Sequence, residues 1–303
     1  MTCVKRAGTI HGSRRPVPSA PDPMDIRIQD KVFWITGAAS GVGLHLTDCL
    51  LRRGGRVMAT DINLEGLRRA ARARGWPEER ILTRHQDVSD AENWDAILRE
   101  LLAAWQRLDV LFNVAGLIHP GWLAESRVKD IDRHIDVNFK GVAFGCRTAA
   151  GHMLAQGGGQ IVNFASLAGI APIAGIGLYS ASKFAVRAYS LVLAQELAPR
   201  GVHVTVICPD AIETPMLVQQ EAYEEAALTF SGRRTLTVHD IERAVFDQVL
   251  VRRPREVILP WNRGVQARLV SLFPALSDWL SGILTRRGRK VQKRRRRIGP
   301  LKH

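Results

Sequence analysis

The sequence predicts a doubly wound α/β fold: a mostly seven-stranded parallel sheet with helices on both faces, followed by a C-terminal helical extension. Three observations predict it. Short, almost wholly apolar runs recur along the chain, as expected of strands covered on both faces. Segments with a 3.6-residue apolar period separate them. A glycine-rich turn, Gly37-Ala38-Ala39-Ser40-Gly41-Val42-Gly43, stands between the first of these strands and the first of these helices.

In chain order, strands are expected at 31–36, 56–60, 81–86, 110–113, 160–165, 202–208 and 256–259. Amphipathic helices fall between them, at 42–53, 91–104, 131–154 and 180–198 among others. With 46% hydrophobic residues, the alternation fills one catalytic domain over 24–260. Residues 1–23 carry four prolines and no apolar period, so they read as a disordered leader, and Met24 opens the regular pattern as a candidate initiator. Past 259, the residues Leu269, Leu272, Phe273, Leu276, Leu280, Ile283 and Leu284 recur at helical spacing, with Pro274 opening a second helix. They define an amphipathic extension over 261–285. A basic, disordered tail is expected over 286–303.

Composition excludes several function classes. The net charge is +14, but residues 1–23 hold +3 and residues 286–303 hold +10, which leaves +1 for the body. A nearly neutral body is not a nucleic-acid surface. No run of about 18 apolar residues is present, so a membrane-spanning helix is not expected. Cys3, Cys49, Cys146 and Cys208 lack metal-ligand or disulfide-framework spacing and read as reduced thiols in a cytoplasmic protein. No metal ligands are expected. The extension and its polybasic run, 263–297, suit peripheral contact with an anionic membrane. A helix docked on the body with a solvated tail, or electrostatic nucleic-acid contact by the tail alone, stay open beside it.

The glycine turn allows backbone amides to approach a pyrophosphate at a helix N-terminus; Gly37, Ser40, Gly41, Val42 and Gly43 are the candidate contacts. Asp61 closes the second strand, where a carboxylate can accept hydrogen bonds from both ribose hydroxyls and would repel a 2′-phosphate. NAD is therefore expected over NADP, with Asp61 as a helix N-cap the structural alternative. Tyr179 and Lys183, four apart, share one helical face in Tyr179-Ser180-Ala181-Ser182-Lys183. An ordinary tyrosine titrates near pH ~10, and a fixed cation beside it would favour the phenolate.

With these motifs in hand, residues 30–260 resemble the short-chain dehydrogenase/reductase family in its compact, single-domain, Rossmann-like branch. Asp87-Val88 matches the family's adenine contact, and Asn113-Val114-Ala115-Gly116 is similar to its Asn-Asn-Ala-Gly segment, with Val114 in place of the second asparagine. Asn138 fits the asparagine that anchors a water-mediated proton relay. Ser166 stands thirteen residues before Tyr179, at the family's spacing. Pro209, Ile212 and Thr214 match the segment over the nicotinamide carboxamide, although Asp210 replaces the usual glycine and puts a carboxylate near the cofactor.

The resemblance implies an oxidoreductase interconverting a secondary alcohol and a ketone with NAD(H). Tyr179 would be general acid/base, Ser166 would hold the substrate oxygen, Lys183 would lower the Tyr179 pKa, and Asn138 would serve the relay. It also implies a homodimer or homotetramer paired through helices 131–154 and 180–198. The apolar segment 167–178 suits a lipid-like substrate, or else packs against 219–234. The rival readings are an NADPH-linked ketone or 3-oxoacyl reductase, and a non-catalytic NAD-bound regulatory protein whose basic tail engages a partner.

Overall fold

The computed structural model describes residues 28–298, and the side chains of that span except 274–281 and 298. The expected leader, the candidate start at Met24 and residues 299–303 lie outside the described residues. Seven parallel strands form one sheet: β1 (Val32–Thr36), β2 (Arg56–Asp61), β3 (Ile81–His85), β4 (Val110–Asn113), β5 (Gly159–Phe164), β6 (Val202–Pro209) and β7 (Glu256–Leu259). Their order is β3-β2-β1-β4-β5-β6-β7. The chain leaves β1 towards β2 on one side and returns to β4 on the other. That reversal opens a crevice beyond the carboxyl ends of β1 and β4, where ligands bind in such sheets.

Strand alternation splits the core into two layers. Val32 and Trp34 of β1 face one side of the sheet, where α3 (Ala91–Trp105), α5 (Gly141–Ala155) and α6 (Gly177–Leu197) pack. Phe33 and Ile35 face the other, against α1 (Gly41–Arg52), α2 (Leu64–Arg74) and α8 (Val238–Ala244). Before α5 comes α4 (Val128–Ile135), joined to it through a π-helical turn at Asp136–Lys140, so the expected helix over 131–154 is one run with a bulge. After β6 come α7 (Pro215–Gln220), whose Pro215 and Met216 line the crevice as its roof, and a 3₁₀ segment, Glu224–Ser231, packed behind it. Helix α8 continues through a π turn, Val245–Val249, into α9 (Leu250–Arg252).

The C-terminal extension forms two helices, α10 (Trp261–Leu272) and α11 (Pro274–Ile298). This corrects the disordered basic tail expected from 286: residues 286–298 are helical and docked. Gly288, Val291, Gln292 and Arg295, spaced three or four apart, turn one face of α11 onto the 224–231 segment. Gly288 permits the approach, since a Cβ there would stand 1.9 Å from the Ala227 carbonyl oxygen. Basic composition alone suggests a solvated chain. What holds the helix is a stripe along it in which Gln292 and Arg295 donate to carbonyls and carboxylates on the body.

Candidate active site

The crevice is a cavity of about 380 Å³ running from Asp61, Gln86, Asp87 and Val88 at one end to Tyr179, Lys183, Pro209, Ile212 and Thr214 at the other. Between these lie Gly37, Ser40, Gly41, Val42, Gly43, Ala115 and Gly116. Fifteen of the eighteen sequence-predicted site residues thus line a single cleft; Asn113, Asn138 and Ser166 do not.

The first part of this cleft has the make-up of a dinucleotide cradle. Gly37 has φ +69°, and a Cβ on it would lie 2.9 Å from Ala115 Cα. Gly41 has φ +53°, again a conformation that suits glycine. Helix α1 begins with no acidic residue in its first turn, and the Ser40 side chain makes no capping hydrogen bond, which leaves first-turn amides open to an anion. Both side-chain amide atoms of Gln86, on the cleft wall, are buried and unpartnered among the described residues, as expected of a surface shaped for a polar ligand. Asp61 accepts hydrogen bonds from Ala39 N (2.9 Å) and Asn63 N (2.8 Å), which ties the end of β2 to the glycine turn. It is not the cap of α2; Asn63 is, accepting from Gly66 N at 3.0 Å.

Asn113 departs from its expected place. Its side chain points into the core, donating to Asn163 Oδ1 at 2.8 Å, while Thr36 Oγ1 accepts from Val114 N and Ala115 N. The residue orients the strand end behind the cofactor wall rather than forming it, because the strand's alternation turns its side chain away from the cleft.

At the far end, Asn138 lies in the π turn, fully buried. The extra residue of that turn re-aims it inward. It accepts from Leu117 N (2.8 Å) and donates to Leu117 O (3.0 Å) and Ser182 Oγ (3.0 Å). Ser182 in turn donates to the Tyr179 carbonyl at 2.7 Å. Ser182 was not singled out in the sequence, yet it joins Asn138 to the turn of α6 that carries Tyr179 and Lys183. Its only signal was its place between them.

Ser166 caps the short turn after β5, accepting from Ala168 N at 3.1 Å, and its hydroxyl stands beside the Tyr179 phenol. Burial pushes the Tyr179 phenol up to about 12, with the Ser166 contact pulling the other way. Burial also pulls Lys183 down to about 8. Its ammonium donates to the Phe164 carbonyl at 2.8 Å and lies 5.6 Å from the Tyr179 ring centre. The expected depression of the Tyr179 pKa by Lys183 is therefore absent from the protein alone: desolvation of the phenolate outweighs a cation that is itself disfavoured by burial.

The structure decides two further expectations. Asp210, in the usual glycine's place, does not face the cleft; it accepts from Arg263 Nε of α10 at 2.9 Å, so the extension neutralises it. Segment 167–178 takes the second of its two expected places, since none of its residues lines the cleft. Ala168 and Ile176 pack instead against Leu217, Ala226 and Phe230 of the roof.

The roof is tied down by α11. Arg295 donates from Nη1 and Nη2 to both Glu213 carboxylate oxygens (2.6 and 2.7 Å) and from Nε to Glu221 (2.7 Å). Gln292 donates to the Gln220 and Tyr223 carbonyls at 3.1 and 2.6 Å. Glu213 stands between Ile212 and Thr214, both on the cleft wall, so the last helix of the chain grips the lid at its inner edge. Sequence reading missed this set; nothing local marks Arg295 among nine basic residues in 286–297.

Comparison with known proteins agrees with this geometry. A family model described as short chain dehydrogenase matches residues 31–225. The 2-(R)-hydroxypropyl-CoM dehydrogenase of Xanthobacter autotrophicus is 36% identical over 61% of this chain and 76% of its own length. The 3-beta-hydroxysteroid dehydrogenase of Comamonas testosteroni is 34% identical over 72% of this chain and 82% of its own. Among solved structures, a short chain dehydrogenase/reductase from Burkholderia phymatum in complex with NAD superposes with a TM-score of 0.75 at 25% identity, covering 84% of this chain and 97% of that one. A 3-ketoacyl-(acyl-carrier-protein) reductase from Brucella melitensis, complexed with NADH, gives a TM-score of 0.68 at 26% identity.

Proposed function

The chain belongs to the short-chain dehydrogenase family, and from that premise we propose that this nicotinamide-dependent oxidoreductase of CH–OH groups interconverts a secondary alcohol and a ketone, using NAD(H), with Tyr179 as general acid/base. The observation that carries the reading is the convergence of Tyr179, Ser166 and Lys183 at one end of a cleft whose other end is a glycine cradle with Asp61. A nicotinamide cofactor held along the glycine cradle would supply or accept the hydride. Ser166 orients the substrate oxygen beside the phenol and stabilises charge on it. Tyr179 takes the hydroxyl proton in oxidation and returns it in reduction. Burial keeps this phenol neutral at about 12 in the protein alone, and a cation bound beside Lys183 would favour its ionised form. Asn138 holds the 117 backbone and, through Ser182, the helical turn, which keeps the proton route in register. Asp61, engaged at the mouth of the turn, favours an unphosphorylated ribose.

Phe164, Ile212 and Met216 on the wall support an apolar, lipid-like substrate. Homo-oligomer formation through α4–α5 and α6 is supported by Val128 and Val192, which stand exposed on these helices. Tyr179→Phe tests the mechanism: NADH binding by fluorescence is expected within about twofold of the parent, with turnover down by at least about 10³-fold. Undiminished turnover sinks it. Titration with NAD⁺ and NADP⁺ tests Asp61; equal affinity would return the NADPH-linked alternative.

A second reading concerns the extension. Trp261, Val265, Leu269 and Leu272 form an exposed stripe along α10, with Trp261 75% and Leu272 71% accessible. Arg286, Arg289, Lys290, Lys293, Arg294 and Arg297 face solvent on the next helix. An apolar stripe followed by a cationic face suits an anionic lipid surface. No described helix is long and apolar enough to cross a membrane. Sedimentation with phosphatidylserine vesicles is expected to pull down the parent and not Leu269→Glu/Leu272→Glu. Equal behaviour of the two, or a dimer abolished by the same substitutions without vesicle binding, removes the proposal.

A further inference from the structure

Away from the cleft, α1 and α8 bring together a cluster of metal-ligating side chains. His45 and Cys49 lie four apart on α1; His239 and Glu242 lie three apart on α8, so each pair shares a helix face. His45 Nε2 is 2.8 Å and His239 Nδ1 is 3.3 Å from the same oxygen, Glu242 Oε2. All three donor atoms lie within 4.8 Å of one another. The Cys49 thiol is 3.4 Å from His45 Nε2, on the inner side of that group of three.

We propose that this cluster is a zinc site stapling α1 to α8, with His45 Nε2, His239 Nδ1 and Glu242 Oε2 as ligands and the Cys49 sulfur as the fourth. Zinc prefers this mixture of imidazole, carboxylate and thiolate donors in a tetrahedron. Bonds of about 2.0–2.1 Å put tetrahedral nitrogen and oxygen ligands roughly 3.4 Å apart. The two contacts to Glu242, 2.8 and 3.3 Å, lie just inside that spacing, and the two histidine rings, edge to face with centres 4.7 Å apart, already converge on the same oxygen. Arg53 donates to Glu242 Oε1 at 2.9 Å, which orients the carboxylate and leaves Oε2 to the metal. Arg52, beside the Cys49 sulfur, is paired with Asp48, so its charge is offset. His239 is exposed and gives the ion a route in, while Cys49 is buried behind it. On binding, the Cys49 thiol releases its proton to solvent, so thiolate and carboxylate together balance the dication.

The consequence is a link between the helix whose N-terminus forms the cofactor cradle and the helix that follows the roof. It operates without any residue of the cleft. The test uses the full, tag-free chain, stripped with chelator, equilibrated with ZnCl₂ and desalted. About one zinc per chain is expected by elemental analysis, with affinity lowered about 10–100-fold in His239→Ala. His239 is on the surface, so that variant is expected to fold, to bind NADH as the parent does, and to lose the zinc-dependent rise in melting temperature. With Co²⁺ in place of zinc, a thiolate-to-metal absorption band is expected in the parent and absent in Cys49→Ser. Zinc content and melting shift unchanged in His239→Ala, or no zinc retained by the parent, overturn the site; a Co²⁺ spectrum unchanged in Cys49→Ser overturns Cys49 as its fourth ligand.

Discussion

Two long helices each bring one cation to the neighbourhood of the cleft, Lys183 on its wall and Arg295 behind it, and the two are held in opposite ways. Lys183, on α6, is 4% exposed, meets no carboxylate among the described residues, and rests on the carbonyl of Phe164. Burial without a counter-charge pulls its pKa down to about 8. Arg295, on α11, is half-buried between Glu213 and Glu221, and those carboxylates hold its pKa above the usual arginine range. The first arrangement costs stability and leaves a poised charge on the floor. The second returns its desolvation cost through bidentate pairing and fixes the roof. Desolvation alone tunes a group for chemistry; desolvation with matched partners makes a fastener.

Lys183→Met is the largest break in this comparison. Turnover is expected to fall by at least about 10²–10³-fold while stability at pH 7 rises. A pKa about 2.5 below the ordinary 10.5 corresponds to roughly 3 kcal/mol, against about 1 kcal/mol for the lost bond to Phe164 O, so a net gain of about 2 kcal/mol is expected in urea denaturation. The sign follows from linkage: between about pH 8 and 10.5 the unfolded chain binds more protons at this lysine than the folded one, so its contribution to stability rises with pH there. Below about pH 8 the full cost is present. A variant less stable than the parent at pH 7 would show that Lys183 is not held against desolvation.

Arg295→Ala comes next. It leaves Glu213 and Glu221 facing each other without their shared cation, so the roof is expected to loosen. KM for cofactor should rise about five- to tenfold, equivalent to about 1–1.4 kcal/mol, with kcat changed far less. Hydrogen exchange over 213–231 should quicken. An unchanged KM would mean that α11 merely rests on the roof. Gly288→Ala attacks the same contact without touching charge, since its Cβ would meet Ala227 O at 1.9 Å, and should reproduce the exchange phenotype. The smallest effect is expected of Arg295→Lys, which keeps the charge and loses the fork: a KM rise of about two- to threefold, under about 0.7 kcal/mol. Equal effects of lysine and alanine there would assign the fastening to geometry alone.

Legibility from sequence followed the range of the interactions. The seven strands, the cleft and the pairing of Tyr179 with Lys183 were readable because each depends on residues close in the chain: apolar runs, a glycine turn, a four-residue offset. Ser182, three residues past Tyr179, could have been named only from its place in the same helical turn. Asn113 misled because a motif match says nothing of which face its side chain takes, and the strand's alternation turns it into the core. Asp210 gained a partner, Arg263, 53 residues away. The docked face of α11 was hidden because its anchors, Gly288, Gln292 and Arg295, sit among charges that composition reads as solvated.

Amino-acid order alone was enough for the fold class and for the kind of chemistry, since periodicity, turn residues and motif spacing are local. Only the tertiary structure decided where the charges act. It set Lys183 against a carbonyl and Arg295 between two carboxylates. It turned 167–178 against the roof, and it drew His45, Cys49, His239 and Glu242 together from helices almost two hundred residues apart. A pKa, an ion pair and a ligand set are properties of distance and dielectric, and both are settled only when the chain has closed on itself.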